Sequence, residues 1–538
     1  MVTMPKMTGG QALMKSLYRE GVRTIFGMPG VQLYHAMDAL IDEPGIRFIT
    51  VRHEQAAAYM AFGYSKVGGE GMGTALVVPG PGLLNAAAGV GTAYSASTPM
   101  LLISGQAYSH EIGKDTGALH EVNDQMDVVR PITKWQGRMT NVARIPETVH
   151  EAFQHLSTGR QRPVEIEIAW DTLSDERDVE LLEPEEYPAV APNDEDITEV
   201  ARRISESDRP LIWAGWGVMV ADATEPLKKL AEHIQAPVMT SAEGKGAIPY
   251  DHELCIGTPG WKFGPSELAT LVDEADLVIG VGTRLGRTNL TREHNIVQID
   301  IDPEETGRNF PQAYPVVGDA KLTLNRLFDT IKASPRRPSR SDEVRAIKTK
   351  RHLRENQTQP QGDFAAAIQG ALPDEAIVVE GVTQIGYAAR ELFKVQNPRS
   401  YITSSYFGNL GYAYPTALGA KVAKPDVPVV AISGDGGFLF NSQELATAAR
   451  YGINAVVIVF NDNTFGNVYR DQINIFDGRH YGSEITNPDF MKLADAYGVR
   501  GVQASGPEDL ERKLKESISI ESPTLIEVPV GMMPDPFN

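Results

Sequence analysis

The sequence has one cysteine, no long apolar run and no basic cluster, and each absence excludes a class of protein. Cys255 stands alone, so an intrachain disulfide is impossible, and we interpret it as a small core residue rather than a nucleophile. No stretch of about 18 apolar residues occurs, which predicts that no helix spans a membrane. The first residues also lack the charged start and unbroken apolar core of a signal peptide, so we expect a cytoplasmic protein.

The charge balance is strongly acidic. The chain carries 50 Lys and Arg against 70 Asp and Glu, a formal net charge of −20, and no basic run of five or more residues. Binding to a phosphate backbone requires clustered Lys and Arg, so we predict no nucleic-acid partner. We interpret the acidic excess as a contribution to solubility.

Short β-branched runs alternate with segments of helical spacing along the 538 residues. Such runs are typical of strands buried on both faces of a parallel sheet, and their alternation with helices indicates doubly wound α/β domains. The runs are TALVV at 74–78, MLLIS at 100–104, VEIEIA at 164–169, LVIGVG at 277–282, IVQIDI at 296–301, VVAIS at 429–433 and AVVIVF at 455–460.

Two proline-rich, charged stretches divide the chain. Residues 181–196 and 333–343 lack apolar periodicity, and we interpret them as exposed linkers. A chain of this length is expected to hold about three domains. We therefore predict an α/β protein of three doubly wound parallel-sheet domains, at about 1–180, 190–335 and 360–538.

A glycine-rich turn follows the run VVAIS and contains Gly434, Asp435, Gly436 and Gly437. Glycines at a strand end let the backbone approach a bound phosphate closely. An aspartate beside a phosphate would repel it unless a cation lay between them, and Mg2+ prefers carboxylate, carbonyl and phosphate oxygens. The turn therefore predicts a phosphate site bridged by Mg2+.

A second polar turn follows AVVIVF and places Asp462 27 positions after Asp435. That distance accommodates a helix and a crossover to a neighbouring parallel strand. Both carboxylates would then lie at the carboxyl edge of one sheet, where open α/β sheets bind ligands. Two unrelated turns are the alternative, because Gly, Asp and Asn are common turn formers. The paired placement favours a single site.

The stretch GDGGFLFNSQELATAARYGINAVVIVFNDNTFG resembles the fingerprint of thiamine-diphosphate-dependent enzymes, among which acetolactate synthase and benzaldehyde lyase are similar to this chain over nearly its whole length. The resemblance implies a pyrimidine-binding first domain, a middle domain and a third domain that binds the diphosphate and Mg2+. It also implies that the metal ligands are Asp435, Asp462 and the backbone carbonyl of Thr464. The family usually has Asn where Asp462 stands, and the added negative charge is expected to affect metal affinity.

The first domain contains a second matching segment, which begins at Arg52-His53-Glu54 and continues to Tyr64. It resembles the family signature RHE-x-x-A-x-x-M-A-x-G-Y. In isolation Glu54 would be interpreted as a solvated or capping residue. The resemblance implies instead that Glu54 is catalytic and protonates the aminopyrimidine ring of the cofactor, a role suited to a buried carboxyl group.

Other matching segments imply further cofactor contacts. They come from a G-x-P-G turn, a PGPGxxN loop, an EGVTQ turn, the segment GNLGY and the residues after the second metal ligand. For Leu410, a residue of GNLGY, a simple core role stays open. The contacts implied are Pro29, Gly30, Asn85, Thr383, Gln384, Gly408, Leu410, Phe465 and Gly466, in addition to the glycines of the 434–437 turn.

Three positions bear on which member of the family this is. His120 stands where acetolactate synthases often have Gln, and it is either a proton shuttle or an ordinary loop histidine. Asp471 replaces a Trp that selects the larger acceptor. The segment around Arg287, which would supply the acceptor-binding arginine, is one residue shorter than in the family. These departures weaken a strict acetolactate synthase assignment and give no ground for predicting a flavin.

We therefore predict a thiamine-diphosphate- and Mg2+-dependent enzyme that decarboxylates a small 2-oxo acid, ligates the acyl unit to a second carbonyl, or does both. Its small-molecule partner would be a 2-oxo acid or a 2-hydroxy ketone. The alternatives are a lyase of the benzaldehyde lyase or acyl-CoA type and a non-catalytic regulator that binds the cofactor. Because the first and third domains each carry half of a site, we expect a homodimer or homotetramer.

Overall fold

A computed structural model of the chain describes residues 5–259, 267–286, 288–355 and 358–535. It contains three six-stranded sheets in which all paired strands are parallel. These three α/β domains confirm the predicted fold class. The proposed ranges 1–180, 190–335 and 360–538 enclose one such sheet each.

The first sheet forms because short runs of apolar residues are buried on both faces. One face packs in a core with Ile25 and Ile103, and the other packs in a core with Phe26 and Leu102. The six strands of this sheet are β2 (Thr24–Gly27), β3 (Arg47–Thr50), β4 (Thr74–Val77), β5 (Leu101–Gln106), β6 (Trp135–Met139) and β7 (Val164–Ala169). The short strands β1 (Lys6–Thr8) and β8 (Glu176–Asp178) form a separate antiparallel pair. The helices are α1 (Gly9–Arg19), α2 (Tyr34–Ala39), α3 (Glu54–Lys66), α4 (Pro81–Ser95), α5 (Gln125–Val129), α6 (Ile145–Ser157) and α7 (Trp170–Ser174).

The middle domain has its own core, to which Cys255 contributes as a buried residue. Burial raises the pKa of the Cys255 thiol, which agrees with a packing role. The helices are α8 (Asp194–Glu206), α9 (Trp216–Val220), α10 (Thr224–Ile234), α11 (Glu267–Asp273), α12 (Ala320–Ile331) and α13 (Ser341–Glu355). The strands are β9 (Pro210–Ala214), β10 (Val238–Thr240), β11 (Cys255–Gly257), β12 (Leu277–Val281), β13 (Ile296–Asp300) and β14 (Tyr314–Val317).

The third domain carries the two strands that precede the polar turns. Both β17 and β18 are β-branched and buried except at their last residue, as central parallel strands require. The strands are β15 (Ile377–Glu380), β16 (Tyr401–Ile402), β17 (Val429–Gly434), β18 (Val456–Asn461), β19 (Arg500–Gln503) and β20 (Thr524–Pro529). The helices are α14 (Gln361–Ala371), α15 (Gln384–Leu392), α16 (Ala413–Ala423), α17 (Asp435–Leu439), α18 (Leu445–Tyr451), α19 (Gly466–Ile475), α20 (Phe490–Ala496) and α21 (Pro507–Ser519).

The order of strands places the predicted site residues at two switch points. The first sheet runs β3-β2-β4-β5-β7-β6 and the third runs β16-β15-β17-β18-β20-β19. In each sheet the chain leaves two neighbouring strands in opposite directions, β2 and β4 in the first and β15 and β17 in the third. A crevice opens at the carboxyl ends of such strands, and ligands bind there in open α/β sheets.

The first and third domains share one hydrophobic core, in which α3 packs against α16. Their backbones approach closely, since a Cβ atom at Gly419 would lie 2.0 Å from the carbonyl oxygen of Met60. This contact holds the helix that begins at Glu54 against the third domain. Among the residues that the structure describes, no helix is long and apolar enough to cross a membrane.

Candidate active site

A cavity of about 240 Å³ opens at the carboxyl edge of the third sheet. Every residue that lines it lies between Val382 and Met533. The site residues predicted in this domain all line it: Thr383, Gln384, Gly408, Leu410, Gly434, Asp435, Gly436, Gly437, Asp462, Thr464, Phe465 and Gly466. The structure therefore brings the third-domain half of the predicted site together in one place.

Asp435 begins α17 and is 2% exposed. Its Oδ1 accepts a hydrogen bond from the Gly436 N–H at 2.9 Å, and its Oδ2 accepts bonds from the Asn463 N–H at 2.8 Å and the Asn487 side chain at 2.6 Å. Burial, the largest cause, raises the pKa of Asp435, and the nearby Asp462 adds to the rise. A bound cation would relieve both effects.

Asp462 follows β18, the strand paired with β17. Its Oδ1 accepts bonds from the N–H and the hydroxyl of Thr464 at 2.9 and 2.8 Å, and its Oδ2 accepts one from Gln384 at 2.8 Å. The described residues contain no group of three or more His, Cys, Asp or Glu that could hold a metal. A cation between these two aspartates would need backbone and phosphate oxygens as well, and Mg2+ accepts that ligand set.

Glu54 lies at the edge of the first domain, as the first residue of α3. The imidazole Nδ1 of His53 caps the helix by accepting the Gln55 N–H at 3.1 Å. The Glu54 side chain is 9% exposed, and its Oε2 accepts a hydrogen bond from Asn85 at 3.0 Å. The structure thus joins two residues that the sequence places 31 positions apart.

The remaining first-domain residues lie near this pair. Pro29 and Gly30 follow β2, and β2 pairs with β4, which leads through the loop 78–80 into α4. His120 has a left-handed backbone, with φ of 65°, and its Nδ1 lies 3.1 Å from the Gln32 side-chain oxygen. The His120 backbone also packs against Gly80 of the loop. His120 is therefore positioned on the same side of the first domain as Glu54.

Sequence reasoning missed three residues that organise the third-domain half. Asn487 hydrogen-bonds Asp435, Asn461 and Asn463, which ties the two polar turns together. Arg470 and Met533 both contact Gln384. No pattern at these positions signals their role, because each contact depends on folding rather than on spacing. Arg287 lies outside the described residues.

Family comparisons agree with this arrangement. Three models of thiamine pyrophosphate enzymes match the chain, and thiamine pyrophosphate is another name for thiamine diphosphate. They describe the N-terminal TPP binding domain over residues 7–128, the central domain over 197–327 and the C-terminal TPP binding domain over 381–528.

Curated relatives match along nearly the whole chain. A probable acetolactate synthase large subunit of Methanocaldococcus jannaschii is 36% identical, covering 97% of this chain and 92% of the relative. The acetolactate synthase large subunit of Haemophilus influenzae is 35% identical over 96% and 93%. A probable 2-ketoarginine decarboxylase of Pseudomonas aeruginosa is 34% identical over 97% and 94%.

The chain belongs to the thiamine pyrophosphate enzyme family. Within that family it is an acetolactate synthase-like enzyme that uses thiamine diphosphate.

Proposed function

We propose that this enzyme uses thiamine diphosphate with Mg2+ to decarboxylate a small 2-oxo acid, to ligate the acyl unit to a second carbonyl, or to do both. The observation that carries the proposal is the pair Asp435 and Asp462, which directly follow two neighbouring strands and line one cavity with a glycine-rich turn. The relatives add support, since one is named as a decarboxylase of a 2-keto acid and others as acetolactate synthases.

In this proposal the third domain holds the cation and the diphosphate. Asp435, Asp462 and the carbonyl of Thr464 supply oxygens to Mg2+, and the glycines of the 434–437 turn leave room for phosphate oxygens. Gly408 and Leu410 line the same cavity and contact the cofactor. The bound cofactor supplies an electron sink for breaking or forming a bond next to a carbonyl.

The first domain supplies the proton chemistry. Glu54 would donate a proton from its carboxyl group to the aminopyrimidine ring of the bound cofactor, and the hydrogen bond from Asn85 orients that carboxyl group. Pro29 and Gly30 contact the same ring. His120, whose imidazole can donate or accept a proton, would exchange a proton with the reacting oxygen atom.

The active unit in this proposal is a homodimer, alone or within a homotetramer. Glu54 lies on the first domain, whereas the described residues that line the cavity all belong to the third, so each chain presents two half-sites. Exposed apolar side chains flank both halves, which is typical of surfaces that a partner covers. Three of them adjoin predicted site residues in sequence: Leu84 beside Asn85, Leu119 beside His120 and Phe407 beside Gly408.

A substrate panel tests the reaction class. Purified enzyme with Mg2+ and thiamine diphosphate is incubated with 2-oxo acids, with 2-hydroxy ketones and with acyl-CoA thioesters. Carbon dioxide release or carboligation from a 2-oxo acid supports the proposal. Cleavage of a 2-hydroxy ketone alone, or of a thioester alone, assigns the chain to the lyase alternatives. Cofactor binding without turnover of any substrate favours the non-catalytic regulator.

A further inference from the structure

Gln384, which lines the cavity, links the partly buried anion Asp462 to the buried cation Arg470. Its side-chain nitrogen donates to Asp462 Oδ2 at 2.8 Å, and its side-chain oxygen accepts from Arg470 Nη1 at 3.2 Å and from the Met533 N–H at 3.2 Å. Two donors directed at the oxygen fix the orientation of the amide, because the flipped group would present N–H to N–H. The nitrogen of Gln384 is therefore committed to Asp462.

Arg470 is 4% exposed, so its positive charge lies away from water. Its Nη2 donates to the side-chain oxygen of Asn467, and Nη1 also reaches the Met533 carbonyl at 3.5 Å. Among the described residues, Arg470 also forms ion pairs with Asp535 at 3.8 Å and Asp471 at 3.9 Å, distances longer than a hydrogen bond. The hydrogen bonds of this buried cation thus go to neutral oxygens. One of these oxygens belongs to Gln384, whose side-chain nitrogen in turn donates to Asp462.

Asp462, Gln384 and Arg470 form a chain of hydrogen bonds, which we call the relay. The structure leaves no room for a further side chain where Asp462 meets Gln384. A Cβ atom at Gly466 would lie 2.6 Å from both Asp462 Oδ2 and the Gln384 nitrogen. Glycine at 466 therefore permits the contact between the carboxylate and the amide. Any larger residue there would separate the two groups or displace one of them.

The charges of the site show why such a relay matters. Two carboxylates, Asp435 and Asp462, offset the two positive charges of one Mg2+, which leaves the diphosphate uncompensated. Like charges held close together in a desolvated site repel strongly. A cation linked to Asp462 reduces this repulsion without occupying a ligand position.

We propose that Arg470, acting through Gln384, is the counter-charge that allows Asp462 to serve as an anionic ligand in the Mg2+–diphosphate site. The inference rests on the proposed function and assigns Arg470 as a positioning residue, which touches neither the metal nor the cofactor. Its consequence is a coupling between positions 470 and 462. Removing the positive charge of residue 470 weakens cofactor binding only while residue 462 carries a negative charge.

The test is a titration of thiamine diphosphate at fixed Mg2+ by calorimetry, which needs no substrate. Wild type, Arg470→Gln, Asp462→Asn and the double variant are compared. We expect Arg470→Gln to bind at least about tenfold more weakly, the loss of one charge-assisted hydrogen bond. Asp462→Asn should stay within about threefold of wild type, and the double variant within about threefold of Asp462→Asn.

Asp471→Asn provides the matched control, because Asp471 is an exposed carboxylate near the same guanidinium. It should not restore binding to Arg470→Gln. If it restores binding as well as Asp462→Asn does, Asp471 is the partner of Arg470 and the proposal is wrong. Undiminished binding by Arg470→Gln, or a loss that Asp462→Asn leaves unchanged, also overturns it.

Gln384→Met covers the case in which Arg470→Gln does not fold. It removes both hydrogen bonds of the relay and keeps the buried arginine. We expect weaker binding that Asp462→Asn restores, whereas loss of a direct diphosphate contact by Gln384 would not be restored. Failure of wild type itself to bind thiamine diphosphate with Mg2+ would instead count against the proposed function.

Discussion

At the scale of single residues, Asp435 and Asp462 each accept three hydrogen bonds. The three donors to Asp435 come from three separate segments, two of which lie beyond β18. These donors leave the carboxylate little freedom to rotate. The carboxylate therefore has a fixed orientation, as the proposed role of a cation ligand requires.

Replacement of Asp435 by alanine should abolish binding of thiamine diphosphate in the presence of Mg2+. The diphosphate would lose its bridge to the protein, and Asp462 alone would not hold the cation. Calorimetry with Mg2+ and the cofactor measures the effect. Asp462→Asn is the comparison, since an amide oxygen still binds Mg2+, and it should keep most of the affinity. Equal affinities for wild type and Asp435→Ala would rule out the metal assignment.

Replacement of Glu54 by glutamine should separate binding from catalysis. The amide keeps the size of the side chain but cannot donate a proton as an acid does, so the variant should bind the cofactor normally. We expect turnover of the substrate identified in the panel to fall by about 10²–10⁴-fold, the usual contribution of a positioned acid or base. A rate close to wild type would show that Glu54 has no catalytic role.

At the scale of elements, the segment after α17 makes hydrogen bonds with the residues on either side of Glu54, between the end of β3 and the start of α3. Glu444, in the 3-10 turn Ser442–Glu444, accepts the Arg52 N–H at 3.0 Å, and the Tyr451 hydroxyl oxygen accepts the Thr50 N–H at 2.9 Å. Asn441 donates to the Gln55 side chain at 3.2 Å. The segment that follows the 434–437 turn and the start of α3 are therefore connected by hydrogen bonds within one chain.

The environment of Glu444 predicts how the stability of the fold depends on pH. Burial raises the pKa of Glu444 from 4.5 to about 7, although Thr447 and the Arg52 N–H favour the ionised form. The folded state then holds the proton more tightly than the unfolded state. The stability that this proton contributes is complete below about pH 4.5 and is lost as the pH rises through about 7, an effect of about 3 kcal/mol at most.

Glu444→Gln removes this titration and keeps the shape of the side chain. The melting temperature of the variant relative to wild type should therefore rise between about pH 5 and about pH 8. Thermal unfolding of both proteins across that range measures it. A difference that is constant with pH would show that Glu444 does not titrate there.

At the scale of the whole molecule, the sequence predicted the fold well because its strands are buried on both faces. Each β-branched run became a strand, with ends that moved by no more than two residues, as for VVAIS at 429–433 and β17. Asp435 and Asp462 were predicted as neighbours because parallel strands align their carboxyl ends. The relay through Arg470 and Gln384 was not predictable, since position 470 meets position 384 only after the chain has folded.

The role of Asn487 was likewise not predictable from the sequence. It lies 52 positions after Asp435 and 26 after Asn461, in a segment without a strand or a recognisable turn motif. Its amide nevertheless joins both polar turns. Side chains that support a site from a distance leave no periodic signal, whereas those on the glycine-rich turns do.

The shared-site model predicts that two inactive variants restore each other. Glu54→Gln chains and Asp435→Ala chains are mixed under conditions that allow subunit exchange, which mass spectrometry confirms. A site built from two chains regenerates one intact site in each mixed dimer, so activity should return. A site built within one chain leaves every site damaged. Continued inactivity after confirmed exchange would exclude the shared site.

The measurement that most directly tests cofactor activation by Glu54 is proton exchange at the thiazolium carbon of thiamine diphosphate, followed by NMR in deuterated water. The account predicts that wild type with Mg2+ exchanges this proton much faster than the free cofactor does. Glu54→Gln, with the cofactor still bound, should be slower than wild type by about 10²–10⁴-fold. An exchange rate in wild type no faster than that of the free cofactor, or equal rates in wild type and Glu54→Gln, would contradict it.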